Sequence, residues 1–271
     1  MIARLNLVHE PELRLQTPRR RRRARAAPRG ALMATLLAFD TSTERMAVAL
    51  LHGGRIVGHE AAGGAQASAT LIPAMRALLA AAGVPARALD AIAFGRGPGA
   101  FTGLRTACAV AQGYAFGLGK PVLALDTLMA VAEDARQRHA VDDVWVAMDA
   151  RMDEVYAAHY RHVAARWQIQ AEPALYAVEA LNRRWQGDAP PAVAGSALAA
   201  FGTRLQCGAA QRLPEALPRA DALASLALTA WQDGAGVDAA EALPLYLRDK
   251  VAFTTAEREA IKAQQPDEGR S

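Results

Sequence analysis

Four glycines within nine residues constrain this chain more than anything else in it: Gly95, Gly97, Gly99 and Gly103 of Gly95-Arg96-Gly97-Pro98-Gly99-Ala100-Phe101-Thr102-Gly103-Leu104-Arg105. Glycine at this density costs backbone entropy that a plain turn does not require, and it permits positive φ and the close approach of another group to the backbone. An apolar run at 91–95 precedes the segment and a helical pattern at 102–118 follows it, so it reads as a strand-to-helix turn. Thr102 is placed to cap that helix, whose free amides form an anion site. Arg96 and Arg105 suit phosphate or carboxylate, although arginines flanking a loop are more often solvated. The segment matches neither Gly-x-x-x-x-Gly-Lys nor Gly-x-Gly-x-x-Gly, so the ordinary nucleotide fingerprints are absent.

A second segment of the same character lies upstream, where a strand at 36–39 runs into Asp40-Thr41-Ser42-Thr43. Such an end can hold a magnesium-bound water with its carboxylate and phosphate oxygens with its hydroxyls. The same residues can equally stitch a hairpin turn, and the residues themselves leave the two readings even. Strands at 46–51 and 55–60 follow around Gly53-Gly54, then a helix at 68–82 with Leu71, Met75 and Leu78 at helical spacing, ended by Gly83. A strand at 122–125 and a helix at 127–139 close the half. The second half opens alike, with a strand at 144–148 running into Asp149-Ala150-Arg151 and another strand at 155–160. Further on come a strand at 192–195, a helix at 196–205 and an amphipathic helix at 221–231, while 173–191 and 208–219 read as irregular. Two strand-to-acid openings suggest a duplicated βββαβα unit, though the repeat signal is weak.

The net charge of +4 is misleading until it is located. Residues 1–32 hold nine arginines against Glu10 and Glu12, a balance of +7, which leaves 33–271 at −3. That stretch, with Arg19 to Arg23 in one run and Pro11, Pro18 and Pro28 breaking any helix, is expected to be a solvated tail. Met33 is expected to begin the folded body, with 1–32 as upstream sequence; an arginine-rich RNA-binding arm is the alternative. No apolar run follows the arginines as in a secretory signal, and none approaches membrane-spanning length. Cys108 and Cys207 lie in apolar helical patterns without metal-ligand spacing and are expected to be buried free thiols. Residues after Val251 lose apolar periodicity and are expected to fray.

Together Asp40-Thr41-Ser42-Thr43, the eleven residues at 95–105, Asp149-Ala150-Arg151-Met152-Asp153-Glu154-Val155-Tyr156 and Pro244-Leu245-Tyr246-Leu247-Arg248 resemble the TsaB (YeaZ) family over about residues 34–251. The resemblance implies an α/β chain with the duplicated actin-like/Hsp70 ATPase (ribonuclease H-like) fold, in lobes of residues 34–134 and 135–250. It implies a cytoplasmic, non-catalytic partner of the TsaD ligase in forming N6-threonylcarbamoyladenosine at position 37 of tRNAs that read codons starting with A. TsaE is the implied third member, a homodimer is possible, and tRNA is met through the complex. ATP or ADP with magnesium is implied to act in that complex, with no stoichiometric nucleotide or metal on this chain.

The residues agree with a crippled nucleotide site. Asp149 is followed by Ala150 and Arg151 where nucleotide-binding members of this fold carry glycines, and Gly195 is followed by Ser196 and Ala197. TsaD-like enzymes carry two histidines four residues apart on the first helix, and 65–74 contains none; the single histidine that TsaB relatives keep is replaced by Ala67 beside Ser68. His52, His59, His139, His159 and His162 are scattered, so no ligand set for a metal or a metalloprotease emerges. Asp40, Thr41, Ser42, Thr43, Asp149 and Arg151 are therefore expected to form a vestigial phosphate loop. The helix at 102–118 is apolar nearly all round, which predicts burial on two sides. With the family in view, Leu71, Met75, Leu78, Ala107, Ala111, Tyr114 and Ala115 are expected to meet TsaD, the alanines as a ridge that admits a close helix. The competing class is an ATP-dependent phosphotransferase or hydrolase using Asp40 and Asp149 around magnesium.

Overall fold

The computed structural model describes residues 34–248, so the expectations for 1–32 and 251–271 lie outside the described residues. Ten strands form two five-stranded sheets, in the orders β3-β2-β1-β4-β5 and β10-β9-β6-β7-β8. In the first, β1 (Leu36–Asp40), β2 (Arg45–His52) and β3 (Arg55–Ala62) make an antiparallel meander, and β4 (Ala91–Gly95) and β5 (Val122–Leu125) add in parallel to β1. In the second, β6 (Asp143–Asp149), β7 (Glu154–Val163) and β8 (Arg166–Ala177) repeat the meander, and β9 (Ala192–Ala194) and β10 (Gln211–Leu213) repeat the parallel pair. Matching β6 to β1, β7 to β2, β8 to β3, β9 to β4 and β10 to β5 superposes one order on the other. The chain therefore has the duplicated two-lobed actin-like arrangement.

Strand periodicity divides each sheet between two cores. Leu37, Phe39, Met46, Val48 and Leu50 face α1 (Ala67–Ala81) and α2 (Phe101–Leu118). Leu36, Ala38, Ala47 and Ala49 face α6 (Ala220–Gln232), whose Ala220, Ala224 and Ala227 let it lie close on those small residues. On the second sheet Val144, Val146 and Met148 face α3 (Thr127–His139), while Trp145 and Ala147 face α4 (Val178–Gly187) and α5 (Ala197–Phe201). The helix that closes each half thus packs on the other half's sheet: α3 on the second, α6 on the first. They pack on each other between the sheets, where Glu133 of α3 accepts hydrogen bonds from Arg136, Gln137, Trp167 and Ser225. Among the described residues no helix is long and apolar enough to cross a membrane.

Four sequence expectations fail for identifiable reasons, the first being that 208–219 is not wholly irregular, since β10 within it pairs in parallel with β9. The stretch 173–191 is not irregular: β8 runs through Pro173, which is tolerated because β8 is an edge strand, and α4 follows it. The helix expected at 196–205 ends at Phe201, because Gly202 adopts φ +53° and breaks it. Thr102 does not cap α2; the cap position is Ala100, without a side-chain hydrogen bond, and the helix begins one residue before Thr102.

Candidate functional site

The lobes flank a cleft of about 960 Å³ that collects the ends of β1 and β6, the start of α2 and the segment 245–248. Asp40, at the end of β1, is fully buried. Its Oδ1 accepts from the Ser42 amide at 2.6 Å and the Ser42 hydroxyl at 2.6 Å, and its Oδ2 accepts from the Thr127 hydroxyl at 2.7 Å. Burial pushes the carboxyl above its ordinary pKa against those hydrogen bonds, which hold it down. With both oxygens occupied and the side chain enclosed, Asp40 is a turn anchor. Thr41 turns inward and donates to the Gly103 carbonyl at 2.7 Å, and Thr43 closes a local turn on the Arg45 carbonyl at 2.9 Å.

The glycine-rich segment does admit a close neighbour, but the neighbour is this turn rather than a ligand. A Cβ on Gly95 would stand 1.7 Å from Asp40 Oδ2, one on Gly99 2.6 Å from the Ser42 backbone oxygen, and one on Gly103 1.9 Å from the Thr41 carbonyl oxygen. Gly97, at φ +109°, exchanges hydrogen bonds with Thr127, and the Arg96 carbonyl accepts from the Leu245 amide at 2.7 Å. Arg105 lies over the Phe101 ring, its guanidinium carbon 3.8 Å from the centroid, and faces the Tyr246 hydroxyl. The charge of half-buried Arg96 acts on buried Asp126, and burial raises that carboxyl while Tyr160, the Met129 and Leu128 amides and Arg96 hold it down.

The second-lobe turn is built differently. Asp149 accepts from the Arg151 amide at 2.8 Å and pairs with its guanidinium at 3.2 Å, while its own amide donates to Ser196 Oγ at 3.1 Å. Arg151 reaches across the cleft mouth to Glu44 of the first lobe. Arg151, Met152 and Asp153 all have positive φ, near +60°, although none is glycine. Partners hold this strained turn: Arg204 binds both oxygens of Asp153 at 2.6 Å, and Arg248 donates to the Ala150 and Arg151 carbonyls and to Glu154. These two turns do not fit the phosphates of a magnesium nucleotide. One has its carboxylate enclosed and its glycines filled, and the other has its Asp149 carboxylate paired with the Arg151 guanidinium.

The interface expectation needs the larger correction. Leu71, Met75, Leu78, Ala107, Ala111 and Ala115 are buried within the single chain, against Phe39, Phe94 and Ile92 of the first sheet, and Tyr114 is half-buried against the same core. The alanine ridge lets α2 lie close on its own sheet. The outward ridge of α2 is Ala109, Gly113, Phe116 and Gly117, with Phe116 83% exposed, and α1 exposes Ile72. Sequence reasoning also missed Asp126 and Thr127, which join the lobes: Asp126 caps α3 and accepts from Tyr160 of β7 at 2.8 Å, while Thr127 binds Asp40. An Asp directly before a helical pattern was the available signal.

Comparison with known proteins accords with this geometry. The family described as "TsaD: tRNA N6-adenosine threonylcarbamoyltransferase" matches residues 58–254. The protein named tRNA threonylcarbamoyladenosine biosynthesis protein TsaB of Haemophilus influenzae is 34% identical over 229 residues, covering 81% of this chain and 95% of that one. The protein of the same name from Escherichia coli is 32% identical over 222 residues, covering 80% and 96%. The solved structure of YeaZ from Pseudomonas aeruginosa is 43% identical, with a TM-score of 0.74, and covers 79% of this chain and all of that one. Relatives of this identity matched over nearly their whole length, on a fold whose order of strands repeats, make the chain a member of the TsaB (YeaZ) family of tRNA threonylcarbamoyladenosine biosynthesis proteins.

Proposed function

We propose that this protein serves threonylcarbamoyladenosine formation at position 37 of tRNAs reading codons that start with A, as a non-catalytic partner of the TsaD ligase in an assembly that TsaE joins. The observation that carries this reading is the outer face of α2, where Phe116 stands 83% exposed among Ala109, Gly113 and Gly117. A large apolar side chain beside small ones suits close contact with another helix. In this reading nucleotide and magnesium act in the assembled complex, and the chain's own Asp40 and Asp149 hold turns. The enclosed Asp40 carboxylate weighs against the phosphotransferase or hydrolase reading, since a metal-bound water needs a free oxygen there.

Light scattering of this protein mixed with purified TsaD tests the proposal. The expected result is a heterodimer that the exposed change Phe116→Glu abolishes while melting stays within a degree or two of the parent. Pairing that survives Phe116→Glu moves the interface elsewhere. ATP turnover by the isolated chain that disappears on Asp40→Asn overturns the non-catalytic role.

A further inference from the structure

We infer that the segment 242–248 is a strap across the interlobe cleft, one that ties the width of the cleft to the position of α2. At its inner end the cleft is closed by buried contacts between the lobes, where Val131 of α3 lines it and Asp126 accepts from Tyr160. At the mouth the lobes meet through Glu44 and Arg151, whose side chains are 84% and 70% exposed. An ion pair so exposed is screened by water and cannot by itself fix the width of the mouth. Leu245, Tyr246, Leu247 and Arg248 line the same cleft and supply the firmer tie.

The strap is fastened to the first lobe along α2 and the loop before it. The Ala242 carbonyl accepts from the Gln112 side-chain amide at 2.8 Å and the Cys108 thiol at 3.3 Å, and the Leu245 amide donates to the Arg96 carbonyl at 2.7 Å. The Tyr246 ring lies 5.3 Å from that of Phe101 at the start of α2. The next two residues are fastened to the second lobe. Leu247 packs on its core, and the Arg248 guanidinium, on a side chain only 14% exposed, donates to the Ala150 carbonyl at 3.0 Å, the Arg151 carbonyl at 3.2 Å and the Glu154 carboxylate at 2.5 Å. The Cα atoms of Tyr246 and Leu247 are about 3.8 Å apart, so the strap has no slack between the lobes. The mouth cannot widen until one fastening lets go, and a shift of α2 carries the strap and the turn 150–154 with it. Access to the cleft is thereby governed from α2. This coupling is built into the isolated chain and is independent of the pairing with TsaD.

Distances between spin labels on the two lobes of the full chain test this. The labels go on Ala80→Cys of α1 and Arg183→Cys of α4, both exposed positions, with buried Cys108 and Cys207 left in place. Arg248→Ala unfastens the second-lobe end and is expected to broaden the distance distribution about two-fold over the parent. Arg204→Ala is the control, because Arg204 braces the same turn through Asp153 without touching the first lobe, and its distribution is expected to stay as narrow as the parent's. An unchanged distribution in an Arg248→Ala variant that melts within a few degrees of the parent overturns the proposal. Equal broadening by Arg204→Ala overturns it too, since the turn and not the strap would then be the restraint. Tyr246→Ala, at a residue 44% exposed, loosens the first-lobe end and is expected to broaden the distribution less, because Leu245 stays fastened. Should Arg248→Ala fail to fold, Tyr246→Ala decides, and an unchanged distribution there overturns the proposal.

Discussion

The turns that end β1 and β6 occupy equivalent places in the two lobes and are stabilised in opposite ways. In the first lobe the turn is buried, its carboxylate accepts three hydrogen bonds, and glycines on a neighbouring segment make room for it. In the second the turn is exposed, has no glycine at its three left-handed residues, and is held from outside by Arg204 and Arg248. One backbone shape can thus be kept by making space around it or by bracing it, and the two strategies fail under different substitutions.

Gly103→Ala has the largest expected effect. Alanine normally favours a helix over glycine by about 1 kcal/mol, but here its Cβ would meet the Thr41 carbonyl, so we expect a loss of about 3 kcal/mol, read as a fall in denaturation midpoint. Gly113→Ala on the same helix has open space around it and is expected to gain up to about 1 kcal/mol. Equal effects at the two positions would show that the turn does not need the glycine-lined space.

Removing the acids comes next. Asp40→Ala strands an amide and two hydroxyls in the interior and is expected to cost about 2–3 kcal/mol, whereas Asp149→Ala, on a partly solvated pair, should cost less than about 1 kcal/mol in chemical denaturation. Parity between them would break the contrast.

Acid titration sharpens it further. Burial raises the Asp40 pKa, so its ionised form costs stability at neutral pH, and that cost fades as pH falls through the raised value towards the ordinary 3.8. Burial also pushes Glu133 upward, but its bonds from Arg136, Trp167, Ser225 and Gln137 outweigh burial and lower it. The stability it contributes is present above 4.5 and lost as pH falls through its depressed value. Melting curves should therefore show the deficit of Asp40→Asn widening on acidification and that of Glu133→Gln narrowing. A common slope would mean that Asp40 is not a burial-dominated acid.

The smallest expected effect is a gain. At Met152 a glycine would relieve a left-handed strain of about 1–2 kcal/mol while adding about 0.5–1 kcal/mol of unfolded-chain entropy, so Met152→Gly should raise stability by roughly 0.5–1 kcal/mol. A destabilised variant would show that the braces leave no strain to relieve.

The continuous apolar runs of β1 and β2, the amphipathic runs of α1 and α6 and both acid turns were legible because each is a local pattern. The meaning of the glycines was not. Gly95, Gly99 and Gly103 announce a close approach, and only the fold says that Asp40, Ser42 and Thr41 make it. The alanine ridge of α2 failed likewise: spacing reveals that something lies close to Ala107, Ala111 and Ala115, and whether this is a partner or the chain's own sheet depends on the helix's rotation. β8 was hidden by Pro173, whose tolerance follows from an edge position that strand order alone supplies.

The exchange of α3 and α6 between the sheets sets a timetable for synthesis. The strands of the first sheet are complete at Leu125, but the helix that covers their second face begins at Ala220. At about 5–20 residues per second that face waits on the order of 5–20 s for its cover, an interval in which Leu36, Leu51 and Leu123 are open to chaperones or to other nascent chains. A ribosome stalled anywhere between those two elements would hold a half-protected lobe, and no cut between the two halves would release an independently folding unit.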